Sequence, residues 1–447
     1  MTKLFGTDGI RGIANSYPMI PEISLKVGQA VAGLLTKQEN HARIIIGKDT
    51  RVSSDMIVHA LAAGVCSAGT DAELVGILPT PGIAWVVRAT AANAGIVVSA
   101  SHNPYEDNGI KIFGSDGYKL SDSLESQIEK RVAAGKNHEN GQEVGRVRFN
   151  VEANRMYIDF LKSCTSITPG DLKEFKIVLD CANGATYQVA PLLFSELGAS
   201  VEAFCIKPDG RNINLNCGSQ YPEGLARRVI SHKANLGLAF DGDGDRLIAV
   251  DENGEVMAGD RILAVCAHYL LRQSRLKNNM VVSTVMSNVG LSRCLKQMGV
   301  HHNATQVGDR YVMEAMRAEG AVLGGEDSGH MIFAEHHTTG DGILTALMLI
   351  EAIRVQSQPL SKLKTIMTVF PQILVNVSVK SKPPIRDVIE IQEAIRKVEA
   401  ELGENGRVLV RYSGTESLCR VMVEGPTEEK TRDYCHRIAD TVARVLQ

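Results

Sequence analysis

The chain has 447 residues, of which 44% are hydrophobic and 22% are charged, a composition typical of folded globular proteins and not of long disordered segments. Its 48 lysine and arginine residues nearly balance 51 aspartate and glutamate residues, which excludes a strongly basic surface for nucleic acid or anionic membranes. At about 150 residues per domain, the length predicts about three domains.

The sequence shows no sign of membrane insertion or secretion. The apolar stretches at 261–271 and 343–353 are shorter than the ~20 residues that span a bilayer, and the first residues lack the apolar core and cleavage site of a secretory signal. The nine cysteines are an odd number without a C-x-x-C pair, so neither a disulfide framework nor a cysteine-built zinc site is expected. These features predict a cytoplasmic protein with no nucleic-acid or membrane partner.

One pattern occurs three times: an apolar strand, a polar turn, a helix, a glycine and a second apolar strand. The repeats begin at Arg43–Gly47, Phe175–Leu179 and Asn279–Val285. In the first repeat the helix is expected over Ser53–Ala68 and the second strand near Ala72–Gly76. This order predicts βαβ units, and therefore three similar α/β domains with mixed or parallel sheets.

The C-terminal segment follows a different order. Strands are predicted at Ile373–Val379, Arg407–Arg411 and Cys419–Val423, and helices at Ile385–Leu402 and Thr427–Leu446. A β-α-β-β-α order does not suit a doubly wound sheet and indicates a small α+β domain. The predicted domains therefore cover residues 1–150, 151–254, 255–368 and 369–447.

The sharpest chemical motif is an acidic loop, Asp241-Gly-Asp-Gly-Asp-Arg246. Its glycines let three carboxylates converge, and hard divalent cations such as Mg²⁺ take such oxygen ligands, often with a phosphate. Asp241, Asp243, Asp245 and Glu252 also match EF-hand positions. However, Arg246 replaces the glycine of that motif, and the flanks are predicted strands. A Mg²⁺ site is favoured over an EF-hand or a solvated acidic turn.

A serine loop, Ser99-Ala-Ser-His-Asn-Pro104, follows the apolar run Gly95–Val98. Strand ends are where α/β sheets present catalytic groups. The loop is not a hydrolase G-x-S-x-G elbow. We expect Ser101 to accept a phosphate that it shares with the acidic loop, and Lys111 to serve as a general acid or base. The alternatives are an ordinary turn for the serine and a solvated surface charge for the lysine.

Two further loops contain groups suited to a sugar phosphate. In Gly324–His330, Glu326 and Ser328 could bind a pair of sugar hydroxyls, whereas His330 alone is more often structural. In Arg411-Tyr-Ser-Gly-Thr-Glu416, between two predicted strands, arginine, hydroxyls and backbone N–H groups form a phosphate cradle. No Walker motif occurs anywhere in the chain, so P-loop activity is disfavoured, and the alternative for this last loop is an exposed hairpin.

These four motifs, in this order along the full length, resemble those of the α-D-phosphohexomutase superfamily. Within it, Phe5–Gly12, Gly47–Arg51, Pro79–Pro81 and Val307–Tyr311 are most similar to the bacterial phosphoglucosamine mutases. The sequence departs from the common pattern at two places beside binding loops, Asp327 and Ser417.

The resemblance implies an isomerase that interconverts glucosamine 6-phosphate and glucosamine 1-phosphate for UDP-N-acetylglucosamine and cell-wall synthesis. It implies one Mg²⁺ per chain and a 1,6-bisphosphate intermediate, with glucosamine 1,6-bisphosphate or glucose 1,6-bisphosphate as primer. It also implies four domains around a central cleft and a homodimer.

The resemblance assigns roles to matching residues. Ser101 would carry the phosphate, and this phosphate would hold the Mg²⁺ together with Asp241, Asp243 and Asp245. Reaction roles fall to Lys111, Arg11 and His330 at the catalytic site and to Arg246, which would stabilise the transferring phosphate. Glu326 and Ser328 would bind the sugar. The non-reacting phosphate would be bound by Arg411, Ser413, Gly414, Thr415 and Arg420.

Three alternative functions stay open at this point. A phosphoglucomutase or phosphomannomutase of the same fold would differ only in its substrate. A Mg²⁺-dependent sugar phosphatase would release inorganic phosphate, and a non-catalytic sugar-phosphate or Ca²⁺-binding module would bind its ligand without turnover.

Overall fold

The computed structural model describes residues 3–6, 8–36, 42–135, 143–413 and 417–447. The chain divides into two compact units, which we describe separately. The first contains Met1–Val285 and His301–Thr365, and the second contains Met286–Val300 and Ile366–Gln447. Within the described ranges, no helix combines the length and the apolar character needed to cross a membrane.

The first sheet of the first unit has seven strands: β1 (Phe5–Gly6), β2 (Gly9–Ile13), β3 (Arg43–Lys48), β4 (Asp71–Ile77), β5 (Ala94–Val98), β6 (Asp107–Gly114) and β7 (Val147–Phe149). Their order is β1-β2-β6-β5-β3-β4-β7, with β3, β4, β5 and β7 parallel and β6 antiparallel to both of its neighbours. The helices of this domain are α1 (Pro21–Leu35), α2 (Ser54–Ser67), α3 (Thr80–Ala89) and α4 (Asp122–Ala134).

Helices α1 and α2 pack unusually closely because each has a glycine at the crossing. A Cβ atom on Gly28 would lie 2.3 Å from the carbonyl oxygen of Leu61, and one on Gly64 would lie 2.0 Å from that of Leu25. Such contacts exclude any larger side chain at the crossing. This packing, with isoleucine and valine side chains from β3 and β5, forms the core beneath the serine loop.

The second domain contains α5 (Ala153–Ser163), β8 (Lys176–Asp180), α6 (Val189–Glu196), β9 (Ser200–Phe204), α7 (Glu223–His232), β10 (Leu236–Phe240), β11 (Leu247–Asp251) and β12 (Val256–Met257). The sheet order is β12-β11-β10-β8-β9, with β8 parallel to both neighbours and β10 antiparallel to β11. The acidic loop is therefore the connection between two antiparallel strands.

The third domain contains α8 (Gly259–Arg272), β13 (Met280–Thr284), α9 (Val289–Gln297), β14 (His301–Thr305), α10 (Asp309–Glu319), β15 (Leu323–Gly325), β16 (Met331–Phe333), α11 (Gly342–Gln356) and α12 (Leu360–Leu363). Its sheet order is β14-β13-β15-β16, and only the β15–β16 pair is antiparallel. The segment Gly324–His330, called the sugar loop below, contains the connection between these two antiparallel strands. Helix α9 belongs to the second unit.

The second unit contains β17 (Gln372–Ser378), α13 (Ile389–Leu402), β18 (Arg407–Tyr412), β19 (Leu418–Glu424) and α14 (Glu428–Leu446). Its three strands are antiparallel in the order β17-β19-β18, and they share a core with α13 and α14. The buried carboxylate of Glu424 accepts a hydrogen bond from the backbone N–H of Val289 at 2.8 Å, at the N-terminus of α9.

The predicted fold class is confirmed: each of the three βαβ patterns forms a parallel strand pair, and the C-terminal segment has the order β-α-β-β-α. The single helix predicted over Ile385–Leu402 is wrong at its start. A short 3-10 turn covers Ile385–Asp387, and Val388 is extended, so α13 begins at Ile389. The apolar spacing continues across this break, which is why the sequence pattern does not reveal it.

Candidate active site

Ser101 lies in the loop directly after β5, in a backbone conformation that few residues other than glycine adopt. Its φ is +54°, and its side chain is buried. The hydroxyl donates a hydrogen bond to Asp241 Oδ2 at 2.6 Å, and the backbone N–H donates to Ser99 Oγ at 3.0 Å. The serine loop and the acidic loop, which are far apart in sequence, therefore meet at this hydroxyl.

A fully buried ion pair holds the serine loop in this conformation. Arg51 Nε donates to Asp49 Oδ2 at 2.8 Å, and Arg51 Nη2 donates to the carbonyl oxygens of Ser101 at 3.0 Å and Asn103 at 2.8 Å. Ser99 Oγ donates to the same Asp49 oxygen at 2.5 Å. Asp49 and Arg51 contribute to the site, yet in the sequence they served only to support the family resemblance.

A second donor reaches the serine loop from the neighbouring domain. Asn214 Nδ2 donates to the carbonyl oxygens of Ser101 at 2.9 Å and Asn103 at 3.0 Å. These are the same two oxygens that Arg51 binds, so both carbonyls have paired donors. Sequence reasoning missed Asn214 because nothing in its local motif signals a partner more than 100 residues away.

The acidic loop brings three buried carboxylates together. Asp241, Asp243 and Asp245 each offer an oxygen, and these oxygens lie within 4.8 Å of one another. Thr80 Oγ1 donates to Asp243 Oδ2 at 2.6 Å. Among the described residues, Asp243 Oδ1 and Asp245 Oδ1 are buried without a hydrogen-bond partner. Oxygens of this kind are suitable ligands for a hard divalent cation, so the donor set fits Mg²⁺.

The positive charges around the acidic loop stabilise the charged form of one carboxylate and not of another. Burial, together with the neighbouring carboxylates of Asp245 and Asp243, holds the pKa of Asp241 well above its ordinary value. Burial also raises the pKa of Asp245, but the cations of Lys111 and His330 outweigh it and hold that pKa well below its ordinary value. A divalent cation would stabilise all three carboxylates in their charged forms.

Lys111 is buried on β6, so its interpretation as a solvated surface charge is wrong. Its Nζ lies 2.9 Å from Asp243 Oδ2, 3.4 Å from Asp245 Oδ2 and 3.4 Å from Asp8 Oδ2. Burial lowers the pKa of this ammonium group, but the three carboxylates outweigh burial and hold the pKa well above its ordinary value. In this structure Lys111 partly neutralises the acidic loop.

Arg11 reaches the serine loop from β2. Its Nη1 donates to the carbonyl oxygen of Ala100 at 3.2 Å, and its Nη2 pairs with Asp8. Asp8 also accepts a hydrogen bond from Lys119 Nζ at 2.5 Å, so it links three cations: Arg11, Lys111 and Lys119. Sequence reasoning missed Asp8 and Lys119, although Asp8 stands in the same motif as Arg11.

His330 is buried between two carboxylates. Its Nδ1 lies 3.6 Å from Asp245 Oδ2, and its Nε2 lies 3.6 Å from Asp309 Oδ2 and accepts the backbone N–H of Gly340 at 3.1 Å. Burial lowers the pKa of His330, but the carboxylates outweigh burial and raise it overall. His330 thus lies beside the acidic loop. A purely structural histidine would not need this position.

Arg246 and the sugar loop lie beside the acidic loop. Arg246 pairs with His330 in an isolated antiparallel bridge, and its Nε lies 3.8 Å from Asp245 Oδ1. Glu326 is nearly buried and accepts the backbone N–H of Gly308 at 3.1 Å, and burial raises its pKa. Within the described ranges, Ser328 Oγ is buried without a hydrogen-bond partner. Glu326 and Ser328 therefore keep bonding capacity for a ligand.

The predicted phosphate-binding residues belong to the second unit. Arg411 on β18 lies directly opposite Arg420 on β19, and like charges in that position destabilise a sheet unless an anion joins them. Ser413 follows β18, and Lys382 Nζ donates to its carbonyl oxygen at 2.8 Å. Lys382 is a further cation that the sequence motif did not include. Gly414 and Thr415 lie outside the described residues.

Four family models match the chain in succession, all from phosphoglucomutase/phosphomannomutase. The α/β/α domain I model matches residues 2–139 and the domain II model matches 155–254. The domain III model matches 258–370, and the C-terminal domain model matches 374–441.

The relatives match over their whole length. The chain is 54% identical to the phosphoglucosamine mutase of Syntrophus aciditrophicus, covering 100% of both chains, and 49% identical to that of Myxococcus xanthus, covering 99% and 97%. A phosphoglucomutase/phosphomannomutase family protein from Burkholderia thailandensis has a similar fold, with a TM-score of 0.82 at 22% identity over 99% and 97% of the chains. N-acetylphosphoglucosamine mutase of Aspergillus fumigatus, solved with GlcNAc-6P and magnesium, gives a TM-score of 0.67 at 18% identity over 99% and 96%.

Proposed function

Because the chain belongs to the phosphoglucosamine mutases of the phosphoglucomutase/phosphomannomutase family, we propose that it interconverts glucosamine 6-phosphate and glucosamine 1-phosphate. In this role it is an isomerase that supplies UDP-N-acetylglucosamine synthesis. The contact that carries the mechanism is the 2.6 Å hydrogen bond from Ser101 Oγ to Asp241 in the acidic loop. It supports a phosphoserine placed beside a cation site.

The resident cation of the proposal is Mg²⁺, held by Asp241, Asp243, Asp245 and a phosphate on Ser101. Two buried carboxylate oxygens without hydrogen-bond partners among the described residues, on Asp243 and Asp245, support this assignment. When bound, the ion offsets the negative charge of the phosphoryl group during transfer. Mg²⁺ typically combines a few carboxylates with a substrate phosphate, as the acidic and serine loops would allow.

The reaction proceeds in two phosphoryl transfers. The free hydroxyl of the bound sugar phosphate attacks the phosphorus on Ser101, the bond from phosphorus to Ser101 Oγ breaks, and a 1,6-bisphosphate forms. This intermediate turns by about half a rotation and returns its other phosphate to Ser101. Lys111, which the acidic loop holds as an ammonium ion, donates a proton to the oxygen that leaves phosphorus and regains one from the attacking hydroxyl, with Arg11 and His330 beside it. A 1,6-bisphosphate of glucosamine or glucose primes the unphosphorylated enzyme.

Substrate recognition falls to residues of the sugar loop, to Arg246 and to the phosphate cradle. Glu326 and Ser328 bind the sugar hydroxyls, and Arg246 stabilises the transferring phosphate. In the second unit Arg411, opposite Arg420, binds the phosphate that is not reacting, because two facing guanidinium groups favour an anion between them. Ser413, Gly414 and Thr415 would add hydroxyl and backbone donors to that cradle.

A mutase assay tests the proposed function. Purified protein with Mg²⁺ is given glucosamine 6-phosphate, glucose 6-phosphate or mannose 6-phosphate, each primed with its 1,6-bisphosphate, and both isomerisation and free phosphate are measured. We expect strong preference for the amino sugar, no phosphate release, and loss of turnover in Ser101→Ala. Preference for glucose or mannose phosphate would contradict the substrate assignment, and phosphate release without isomerisation would contradict the mutase reaction.

A further inference from the structure

Two cysteines and an aspartate come together at one end of the second sheet, in a group separate from the three acidic-loop carboxylates. Asp180 is the last residue of β8, and Cys205 follows β9, the parallel neighbour of β8. Cys217 precedes the short 3-10 turn Gly218–Gln220. One carboxylate oxygen and the two Sγ atoms lie within 4.8 Å of one another. The spacing of the cysteines along the chain does not indicate this cluster.

The backbone holds the cluster in place. Asp180 Oδ1 accepts the N–H of Ala182 at 2.9 Å, and Oδ2 accepts the N–H of Gly218 at 2.8 Å. Gly218 has a φ of +75°, and a Cβ there would lie 2.6 Å from the carbonyl oxygen of Phe240. Cys205 itself has a φ of +52°, a conformation that a residue other than glycine keeps only where its surroundings enforce it. The three ligand groups are therefore positioned by the fold.

The donor set of the cluster suits a thiophilic divalent cation. It places two cysteine sulfur atoms and one carboxylate oxygen within bonding range of a single ion. Asp180 and Cys217 are buried, whereas Cys205 is half-buried and so gives an ion access from solvent.

We propose that Asp180, Cys205 and Cys217 form a second metal site that binds a thiophilic divalent cation, with Zn²⁺ as the best match. Thiolate and carboxylate ligands about 2.0–2.3 Å from a tetrahedral Zn²⁺ lie within about 4 Å of one another, so only small shifts are needed. Binding releases one proton from each thiol to solvent and leaves a fourth position for water. Thiolates select Zn²⁺ over Mg²⁺, which prefers the oxygen ligands of the acidic loop.

The site would tie together the two ends of a loop that reaches the serine loop. Residues 205–217 contain Asn214, whose side chain donates to the carbonyl oxygens of Ser101 and Asn103. A cation bound to Cys205 and Cys217 would therefore restrict the segment that supports Ser101. This consequence for turnover rests on the proposed function, whereas the metal site itself does not.

Cadmium and zinc binding to the reduced full-length protein test the site independently of activity. Cd²⁺ is titrated in the presence of excess Mg²⁺, and the thiolate-to-cadmium charge-transfer absorbance is recorded. Zn²⁺ is then used to displace Cd²⁺ and, separately, to shift the thermal midpoint. The variants are Cys205→Ser and Cys217→Ser, with Cys66→Ser on α2 as the matched control because Cys66 is also buried but lies outside the cluster. Circular dichroism confirms that each variant is folded.

We expect a charge-transfer signal that saturates at one equivalent per chain, is reversed by Zn²⁺, and persists in Cys66→Ser. Cys205 is less buried than Cys217, so Cys205→Ser should disturb the fold less. We expect this variant to lose the signal and the Zn²⁺-induced rise in thermal midpoint. A folded Cys205→Ser that keeps both would overturn the proposal, as would reduced wild-type protein that shows no thiolate signal. Wild-type protein that shows the metal signal but has no mutase activity would contradict the proposed function and not the metal site.

Discussion

Replacing Lys111 tests the charge balance of the acidic loop more directly than any other single change. Its ammonium group contacts Asp243 at 2.9 Å and Asp245 and Asp8 at 3.4 Å, and it is buried. Lys111→Met keeps most of the side-chain volume and removes the charge. The variant therefore separates packing from electrostatics.

The distances set the expected size of the effect. At an effective dielectric constant of about 20, each of these contacts has a Coulomb energy of about 5–6 kcal/mol, most of which desolvation offsets. Removing one partner of a buried ion pair costs about 3–5 kcal/mol, so we expect the free energy of unfolding of the first unit to fall by that amount in EDTA. Because Lys111 competes with a cation for Asp243 and Asp245, we expect Mg²⁺ to bind the variant at least about tenfold more tightly.

Fluorescence of the only tryptophan in the sequence, Trp85 on α3, follows unfolding of the first unit in urea. The measurement is made with EDTA and with Mg²⁺, and calorimetry gives the Mg²⁺ affinity. Lys119→Met is the control, because Lys119 pairs with Asp8 and Asp309 and not with the three acidic-loop carboxylates. Two results would refute the competition between Lys111 and Mg²⁺. One is weaker Mg²⁺ binding by Lys111→Met than by the wild type, and the other is a loss of stability in that variant that Mg²⁺ does not reduce.

Three further results are expected from single variants. Asn214→Gly suits the φ of +60° at that position and removes two hydrogen bonds worth about 1 kcal/mol each. We therefore expect kcat in the mutase assay to fall by up to about 30-fold. An unchanged kcat would show that Arg51 alone holds the serine loop. Burial lowers the pKa of His337 to about 3, so its contribution to stability is complete above about pH 6.5 and is lost toward pH 3 at up to about 1.4 kcal/mol per pH unit. His337→Gln should therefore show a shallower acid loss of stability in urea unfolding between pH 6 and pH 4, and an equal slope would contradict this assignment. Arg411→Ala should raise KM about tenfold to a hundredfold with a smaller effect on kcat, and an unchanged KM would remove Arg411 from the phosphate cradle.

The sequence pattern predicted much of the fold because the two strands of a βαβ unit pair across a single helix and so lie close together along the chain. The first repeat, predicted as Arg43–Gly47 followed by a helix over Ser53–Ala68, forms β3, α2 and β4. What the pattern did not contain is pairing between distant segments, such as β2 with β6. Antiparallel pairing of this kind depends on contacts across some 100 residues of sequence, which periodicity within one segment does not record.

The residues of the candidate site also fall into those that a local motif predicts and those that distant segments bring into place. The motifs around Ser101 and Asp241 were predictable because each concentrates reactive groups within a few residues. Lys111 was ambiguous because its environment depends on carboxylates more than 100 residues away, and a lysine between two isoleucines on β6 fits either face of a sheet. Asn214 and the Asp180–Cys205–Cys217 cluster carry no local signature, since backbone turns, and not sequence spacing, bring them into position.

The central claim is that Ser101 carries the phosphate that the sugar receives. Protein labelled with radioactive phosphate is mixed with excess unlabelled glucosamine 6-phosphate and Mg²⁺. The reaction is quenched at times that cover the first turnover and later ones, and the label is followed on protein and sugar. We expect the label to leave Ser101 and appear in sugar phosphate within one turnover, and we expect Ser101→Ala to take up no label and to lose nearly all turnover while staying folded. Label that stays on the protein through many turnovers, or a Ser101→Ala variant with near wild-type rates, would contradict the account.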